Sequence, residues 1–385
     1  MKQGLYVHIP FCKQICHYCD FNKVLLEGQP VDAYIRALST EGKWRVENGR
    51  YHADTFYVGG GTPTALNSEQ LQQLFLGLKK VGVYWDEMSE VTVEVNPDGV
   101  TDEQLRVLKE AGVNRLSIGV QTFDAELLQQ IGRTHGAEDV ERLIHRVRDQ
   151  GFNNVSIDLM YALPAQTDEQ WKATVEKAIS LDPDHISAYG LKIEPKTQFH
   201  NWKKAGKLTP VDEDEEADMY EWLIKRLADA GFLQYEISNF SKPNKESRHN
   251  LLYWENEPYL ALGAGSHGYM DGSRYSNIGP IPHYLKSIEE KKLPTRKSEA
   301  LSMTEQMEEE MFLGLRLNRG VRADRFREKY GIDMAELYRN VLPALVDDGL
   351  VEWRDNHLRL TERGQLLGNE VFEKFLLPKD THLIR

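Results

Sequence analysis

Cysteine is scarce in this 385-residue chain: Cys12, Cys16 and Cys19 are the whole complement. An odd number excludes a fully paired disulfide framework, and confinement to one short stretch favours a metal site. Long apolar runs are also lacking, so no segment reads as a bilayer span. The opening MKQGLYVHIPF has neither a basic n-region nor an apolar h-region. It therefore does not read as a signal peptide, and a cytoplasmic location is expected. Positive charge is in deficit, with 47 Lys and Arg against 60 Asp and Glu and a formal net charge of -13. That balance excludes a general nucleic-acid or anionic-membrane binder, which needs a basic footprint. What is present is ordinary for a soluble globular protein with room for a sizeable core: 41% hydrophobic and 28% charged residues.

Strand-like and helix-like segments alternate through the first half. Leu5 to Phe11 reads as a buried strand, and 31–47 carries a helical stripe through Tyr34, Ile35 and Leu38. Further strands are expected at 55–58, 91–95, 115–120, 155–159 and 186–193. Helices are expected from Ser68, from a Thr101 cap to near Gly112, over 124–131 and 137–150, and from a cap at Thr167 or Asp168. Strand, loop and helix in repetition imply a parallel sheet with helices outside it, closed or partly closed into a barrel. Chemistry in such a barrel belongs on the loops that follow the strands.

An amphipathic helix follows the acidic run Asp212 to Glu216, itself a dipole-favoured helix start. Residues 235–278 read as irregular with short strands, and 289–299 as a charged linker. From Leu301 the order is three helices, a hairpin (350–353 and 358–360) and a last helix, as in a winged-helix module. Residues 301–376 carry 15 acidic and 11 basic side chains, a net of −4, which suits packing or partner docking rather than DNA. The expected organisation is a barrel over 1–235, an extension over 236–290 and a winged-helix-like unit over 300–378.

The spacing Cys12-x3-Cys16-x2-Cys19, directly after the first strand, provides three thiolates for a four-iron cubane and leaves one iron open. A zinc site with His8 or His17 as fourth ligand is the alternative, although structural zinc motifs usually bring a second cysteine pair. The stretch YVHIPFCKQICHYCDF resembles the cluster loop of the radical S-adenosylmethionine (SAM) superfamily. Its closest likeness is to the oxygen-independent coproporphyrinogen III oxidases and their relatives. That resemblance implies an α/β fold, a partial (β/α)6 TIM-type barrel, with a [4Fe-4S] cluster whose open iron is chelated by the amine and carboxylate of SAM.

Gly59-Gly60-Gly61-Thr62-Pro63 follows the second strand, where bare main chain admits a close ligand. Glu94, Asn96, Gln121 and Asp158 fall at strand ends, with Arg133 beyond the fourth strand, although a single polar residue at such a place is as readily a loop contact. The segments EVNP, SIGVQTF, GRTH and SIDLMYALP match the oxidase-like pattern across most of residues 4–200. By resemblance, Gly60, Gly61, Thr62, Glu94, Gln121, Arg133 and Asp158 contact SAM, and Tyr6 and Tyr18 line the same pocket.

The relatives divide into oxidases and haem chaperones of the HemW type. Oxidases carry a further cysteine two residues after the third, where this chain has Phe21, and an extension before the first strand. His249-Asn250-Leu251-Leu252-Tyr253-Trp254 reads as HNxxYW, a motif of the chaperone branch. Imidazole ligates haem iron well, though a lone histidine is more often structural. His249 is thus a candidate haem ligand, and His267 in GAGSHG is a second. The resemblance implies binding of haem, its transfer to acceptor haemoproteins (membrane-bound respiratory enzymes among them), an electron donor and a possible homodimer. The rival readings are an oxygen-independent coproporphyrinogen III oxidase, or another radical SAM enzyme, and a zinc-stabilised binding module.

Overall fold

Six strands lie side by side in parallel and in chain order: β1 (Gly4–Ile9), β2 (Thr55–Gly60), β3 (Glu90–Val95), β4 (Arg115–Gln121), β5 (Val155–Tyr161) and β6 (His185–Gly190). The computed structural model describes residues 2–46 and 49–377; Glu47 and residue 378, the ends of two expected segments, lie outside the described residues. Three of the intervening helices open with one local device. Asn67, Thr101 and Thr167 each accept from the backbone N–H three residues on, and Gln70, Gln104 and Gln170 each reach back to the cap. Each such cap contributes about 1 kcal/mol and sets where the chain leaves its loop. The second helix is therefore capped by Asn67, ahead of Ser68, and Thr167 rather than Asp168 caps the sixth-strand crossover.

Alternation along the strands assigns their two faces. Leu5, Val7 and Ile9, Phe56 and Val58, Val91, Val93 and Val95, Leu116 and Ile118 are all buried in the main core. The residues between them are largely polar: Tyr6 and His8, Thr55 and Tyr57, Thr92 and Glu94, Arg115 and Ser117. An all-parallel sheet buried on two apolar faces would read as unbroken hydrophobic runs. Here the apolar face lies under the helices, and the polar face lines the hollow of an incomplete barrel.

The sheet continues beyond the six expected strands. β7 (Leu233–Glu236) and β8 (Asn239–Ser241) extend it antiparallel past β6. On the other side β9 (Tyr259–Leu262) runs parallel to β1, and β10 (His267–Met270), β11 (Ser273–Asn277) and β12 (Thr295–Ala300) follow as antiparallel neighbours. The order is β7-β8-β6-β5-β4-β3-β2-β1-β9-β10-β11-β12, an open sheet. The charged stretch expected as a linker is in part β12: backbone pairing needs no apolar side chain, and charge protects an exposed edge. The strand expected over 186–193 stops at Gly190.

Glu41 holds the seventh parallel strand in place. Its carboxylate is fully buried and accepts from Arg45 Nε at 2.7 Å, Asn277 Nδ2 at 2.7 Å, Tyr284 Oη at 2.7 Å and the Gly263 backbone N–H at 2.9 Å. Four donors from four segments thus converge on one side chain, joining the helix Val31–Arg45 to the end of β9, to β11 and to the helix Ile281–Glu289.

The C-terminal unit has its own core around Met307, Met311, Phe326, Tyr338 and Leu358. Four helices rather than the expected three, Met303–Gly314, Ala323–Tyr330, Met334–Leu337 and Leu342–Asp347, precede the hairpin Val351–Arg354/His357–Leu360, and two short ones, Glu362–Leu366 and Gly368–Glu373, follow it. Asp355 and Asn356 both take positive φ, as a two-residue hairpin turn requires. Among the described residues no helix is long and apolar enough to cross a membrane.

Replacing Glu41 by Ala leaves Arg45 Nε, Tyr284 Oη and the Gly263 N–H without their acceptor. Urea unfolding of E41A is expected to give a loss of about 3–5 kcal/mol, the cost of orphaning a buried ion pair. A loss below about 1 kcal/mol would show that the junction does not depend on Glu41.

Candidate cluster and cofactor site

The cysteine loop leaves the C-terminal end of β1 and folds over the hollow. Pro10 ends the ladder, and the loop base is then pinned to the glycine run, with Gly61 N donating to Ile9 O and Thr62 N to Phe11 O, each at 2.8 Å. Gly60 has φ +114°, and a Cβ there would lie 2.4 Å from the His8 ring; one at Gly61 would meet the backbone of Ile9 to Phe11 at 2.9 Å. Glycine at these positions is what lets the two loops touch. The Gly60 N–H donates to Glu94 Oε2 at 3.0 Å. With the N–H groups of Gly60, Gly61 and Thr62 all engaged, the run offers no cradle for a phosphate, which needs donors.

A cavity of about 680 Å³ lies inside, lined by all three cysteines and by Tyr18, Gly60, Gly61, Thr62, Glu94, Gln121, Arg133 and Asp158. Nine residues far apart in sequence were expected by resemblance to share one pocket with the cysteines; the eight just named do, and Tyr6 does not, while His249, the candidate haem ligand, does not line this cavity. Tyr6 lies behind Tyr57, stacked on it at 6.2 Å, and opens into a second cavity. His249 is buried, with Nδ1 2.8 Å from Thr55 Oγ1 and Nε2 2.8 Å from Tyr253 Oη. Both ring nitrogens are committed, and burial holds the imidazole neutral, down to about 3. In this arrangement it has no lone pair to offer iron. Its neighbour Asn250 lines the first cavity and Tyr253 the second.

Each functional group is oriented by another. Arg133 donates from Nη1 to Asn96 Oδ1 at 2.8 Å and from Nη2 to Tyr18 Oη at 3.4 Å, while its buried Nε has no partner among the described residues. Asp158 accepts from Ser117 Oγ at 3.0 Å. Gln121 sits at a register shift between β4 and β5 with φ +69°, a conformation rare outside glycine and frequent at functional sites. A Cβ on Gly119 would lie 3.0 Å from Gln121 Nε2 and 3.3 Å from Arg133 Nη2, so a bare glycine leaves room where these side chains meet.

The cysteines fit a cluster better than a zinc ion. Thr62 Oγ1 lies 3.8 Å from Cys12 Sγ, a donor aimed at the sulfur. His8, one proposed fourth zinc ligand, bonds Tyr6 Oη and Asn22 O through its two nitrogens. His17, the other, bonds Gln130 O through Nδ1 and packs edge-on to Trp202. Among the described residues no three His, Cys, Asp or Glu side chains converge on a single ion position.

Comparison with known proteins agrees with the geometry. Residues 6–178 match the radical SAM superfamily and residues 301–367 the HemN C-terminal domain. The chain is 48% identical to heme chaperone HemW of Bacillus subtilis (strain 168), over 97% of this chain and 99% of that one. It is 45% identical to heme chaperone HemW of Lactococcus lactis, over 97% of each. The chain belongs to the HemW family. The coproporphyrinogen III oxidase HemN from Escherichia coli, a radical SAM enzyme, superposes with a TM-score of 0.86 at 25% identity, over 97% of this chain and 90% of its own. Membership of the radical SAM superfamily implies a [4Fe-4S] cluster and SAM.

Among the lining residues, Tyr57 and Arg115 escaped the sequence reading, and Ser117 and Asn250 lay inside quoted motifs without an assigned role. Tyr57 donates to Glu94 Oε1 at 2.9 Å and stacks on His249 at 5.2 Å. Arg115 is almost fully buried, forms no ion pair among the described residues and has an unpartnered Nε. Period two along β4, stepping back from Gly119 through Ser117 to Arg115, was the signal that could have found it.

Burial raises the Glu94 carboxyl to about 7 from its ordinary 4.5, against the bonds from Tyr57 and Gly60. Between those two values the folded chain keeps a proton that the unfolded chain has lost, so Glu94 lowers stability as pH rises from about 4.5 to about 7. In cluster-free protein, E94Q is expected to gain stability relative to wild type between pH 5 and pH 8. Urea curves at the two pH values check this, and an unchanged difference between the two proteins would refute it.

Proposed function

We propose that the chain is a haem chaperone that binds haem and passes it to acceptor haemoproteins, on a radical SAM scaffold. The observation that carries this reading is likeness to heme chaperones along almost the whole chain at up to 48% identity, against 25% to the oxidase. Phe21 agrees with it: the position at which oxidases carry a further cysteine holds an exposed phenyl ring.

In this reading Cys12, Cys16 and Cys19 hold the [4Fe-4S] cluster, with SAM on its open iron. The bound pair supplies one-electron chemistry at the sulfonium. The chain's own residues bind and orient. Glu94, ionised above about pH 7 and fixed by Tyr57 and Gly60, offers a carboxylate to the SAM ammonium. Arg133, braced by Asn96 and Tyr18, faces the SAM carboxylate. Asp158, fixed by Ser117, and Gln121, above the bare Gly119, would hold polar groups of the bound SAM. An electron donor reduces the cluster, and the C-terminal unit, acidic overall, serves as a docking surface for acceptors, respiratory membrane enzymes among them. Cytoplasmic residence and a homodimeric state complete the proposal.

Anaerobically reconstituted protein is expected to carry about four irons per chain, to bind about one haem, and to leave coproporphyrinogen III unconverted in the presence of SAM and reductant. Cys12→Ala should lose the iron–sulfur absorption, and Arg133→Ala should weaken SAM binding by about tenfold or more, the effect of one lost charge-assisted contact. Conversion of coproporphyrinogen III by protein that binds no haem would establish the oxidase reading instead.

A further inference from the structure

The haem-chaperone reading requires a place for a porphyrin, and the cavity under the cluster loop is not its only hollow. A second cavity of about 510 Å³ opens on the other side of that loop, and Asp20 and Phe21 line both. This is within the usual range for small-molecule sites. Its walls bring together Tyr6 from β1, Tyr253 from the helix Arg248–Trp254, Tyr259 from β9, His267 from β10 and Arg296 from β12.

Five of the lining side chains could ligate a haem iron, and four of them are already engaged. His8 uses Nδ1 for Tyr6 Oη at 2.9 Å and Nε2 for Asn22 O at 2.7 Å, which also occupies Tyr6. Tyr253 Oη is bonded to His249 Nε2 at 2.8 Å. Tyr259 Oη accepts from Arg274 at 3.4 Å. His267 is exposed, begins β10 where that strand pairs with Ser276, and makes no side-chain hydrogen bond among the described residues. It is the one imidazole in the cavity with both nitrogens available.

The remaining chemistry suits the same ligand. Arg296 is exposed, with no ion pair or side-chain hydrogen bond among the described residues, so a cation stands ready at the rim for a carboxylate. Phe21, 63% exposed, presents an apolar ring at the shared wall. An unengaged imidazole, an aromatic wall and an unpaired guanidinium match the iron, the macrocycle and the propionates of a haem.

We infer that haem is seated in this second cavity, with His267 as its axial ligand and Arg296 on a propionate. The inference rests on the haem-chaperone reading and adds the seat and the ligand. Coordination requires only that a neutral imidazole nitrogen donate its lone pair to the iron, with no change in oxidation state.

The test is an anaerobic titration of full-length, cluster-reconstituted protein with hemin, read as the Soret spectrum after subtraction of the cluster. Wild type is expected to give an imidazole-ligated spectrum. His267→Ala should lose that spectrum and bind at least about tenfold more weakly, and added free imidazole should restore the spectrum. Arg296→Ala should bind severalfold more weakly with the ligation spectrum kept. His267 is exposed, so its removal leaves the core intact, and imidazole rescue separates lost ligation from misfolding. Wild-type haem binding with an unchanged spectrum and affinity in His267→Ala would overturn this seat and leave the chaperone reading standing. Failure of wild type to bind haem at all would remove both.

Discussion

A barrel wall whose inner face is polar must satisfy every group it hides, and this constraint organises the molecule. In an ordinary closed barrel the interior is filled with branched apolar side chains, which need only volume. Here the inward positions carry histidines, carboxylates, an arginine and hydroxyls, and burying any of them unpaired costs a large share of a domain's net stability. Partners are therefore drawn from neighbouring strands. His185 is held between Ser156 and Tyr235, His249 between Thr55 and Tyr253, and Glu94 between Tyr57 and Gly60. Both histidines are kept neutral by burial, with the Arg115 charge acting in the same direction. The cross-strand bonds that satisfy the interior also fix the side chains that face the cofactor space, so structure and site share one network.

The same requirement accounts for the helix Arg248–Trp254. Its first N–H groups, at Arg248 and His249, donate to the Glu90 carboxylate at 2.9 Å, an acid at the N-terminal end of β3. A carboxylate at a helix start satisfies orphan donors and the helix dipole together. Leu252 lies against Gly4 at the beginning of β1, and His249 reaches Thr55 at the beginning of β2. The HNxxYW segment thus sits beneath three strands at once. Its histidine is part of the wall, while Asn250 and Tyr253 face the two cavities on either side.

The barrel itself was legible in the sequence because local rules and tertiary structure agree there. Capping boxes at Asn67, Thr101 and Thr167 start helices where the periodicity does, and the cysteine loop and glycine run follow strands one and two as a βα architecture demands. Two features resisted. β9 has four residues in an aromatic, glycine-rich stretch, and its pairing with β1 joins segments some 250 residues apart, a contact no local pattern encodes. β12 is charged along its length because an edge strand is held by backbone bonds alone, so composition reads it as a linker. At the site, Gly60, Gly61, Thr62, Glu94 and Gln121 stand at or just past strand C-terminal ends, Tyr18 and Arg133 come from the loops beyond, and Asp158, expected at a strand end, lies in the middle of β5 and faces the hollow from there. Tyr6, on the same inner face, stands behind Tyr57 and opens into the second cavity, and His249 is held in the wall by Thr55 and Tyr253.

The helix seated under β1, β2 and β3 also bears on the depth of the hollow. Asn250, on that helix, lines the same hollow as Arg115 at the start of β4 and the cysteines beyond the end of β1. One continuous space therefore runs the depth of the wall, from strand starts to strand ends, and two ligands bound at its two levels would be neighbours.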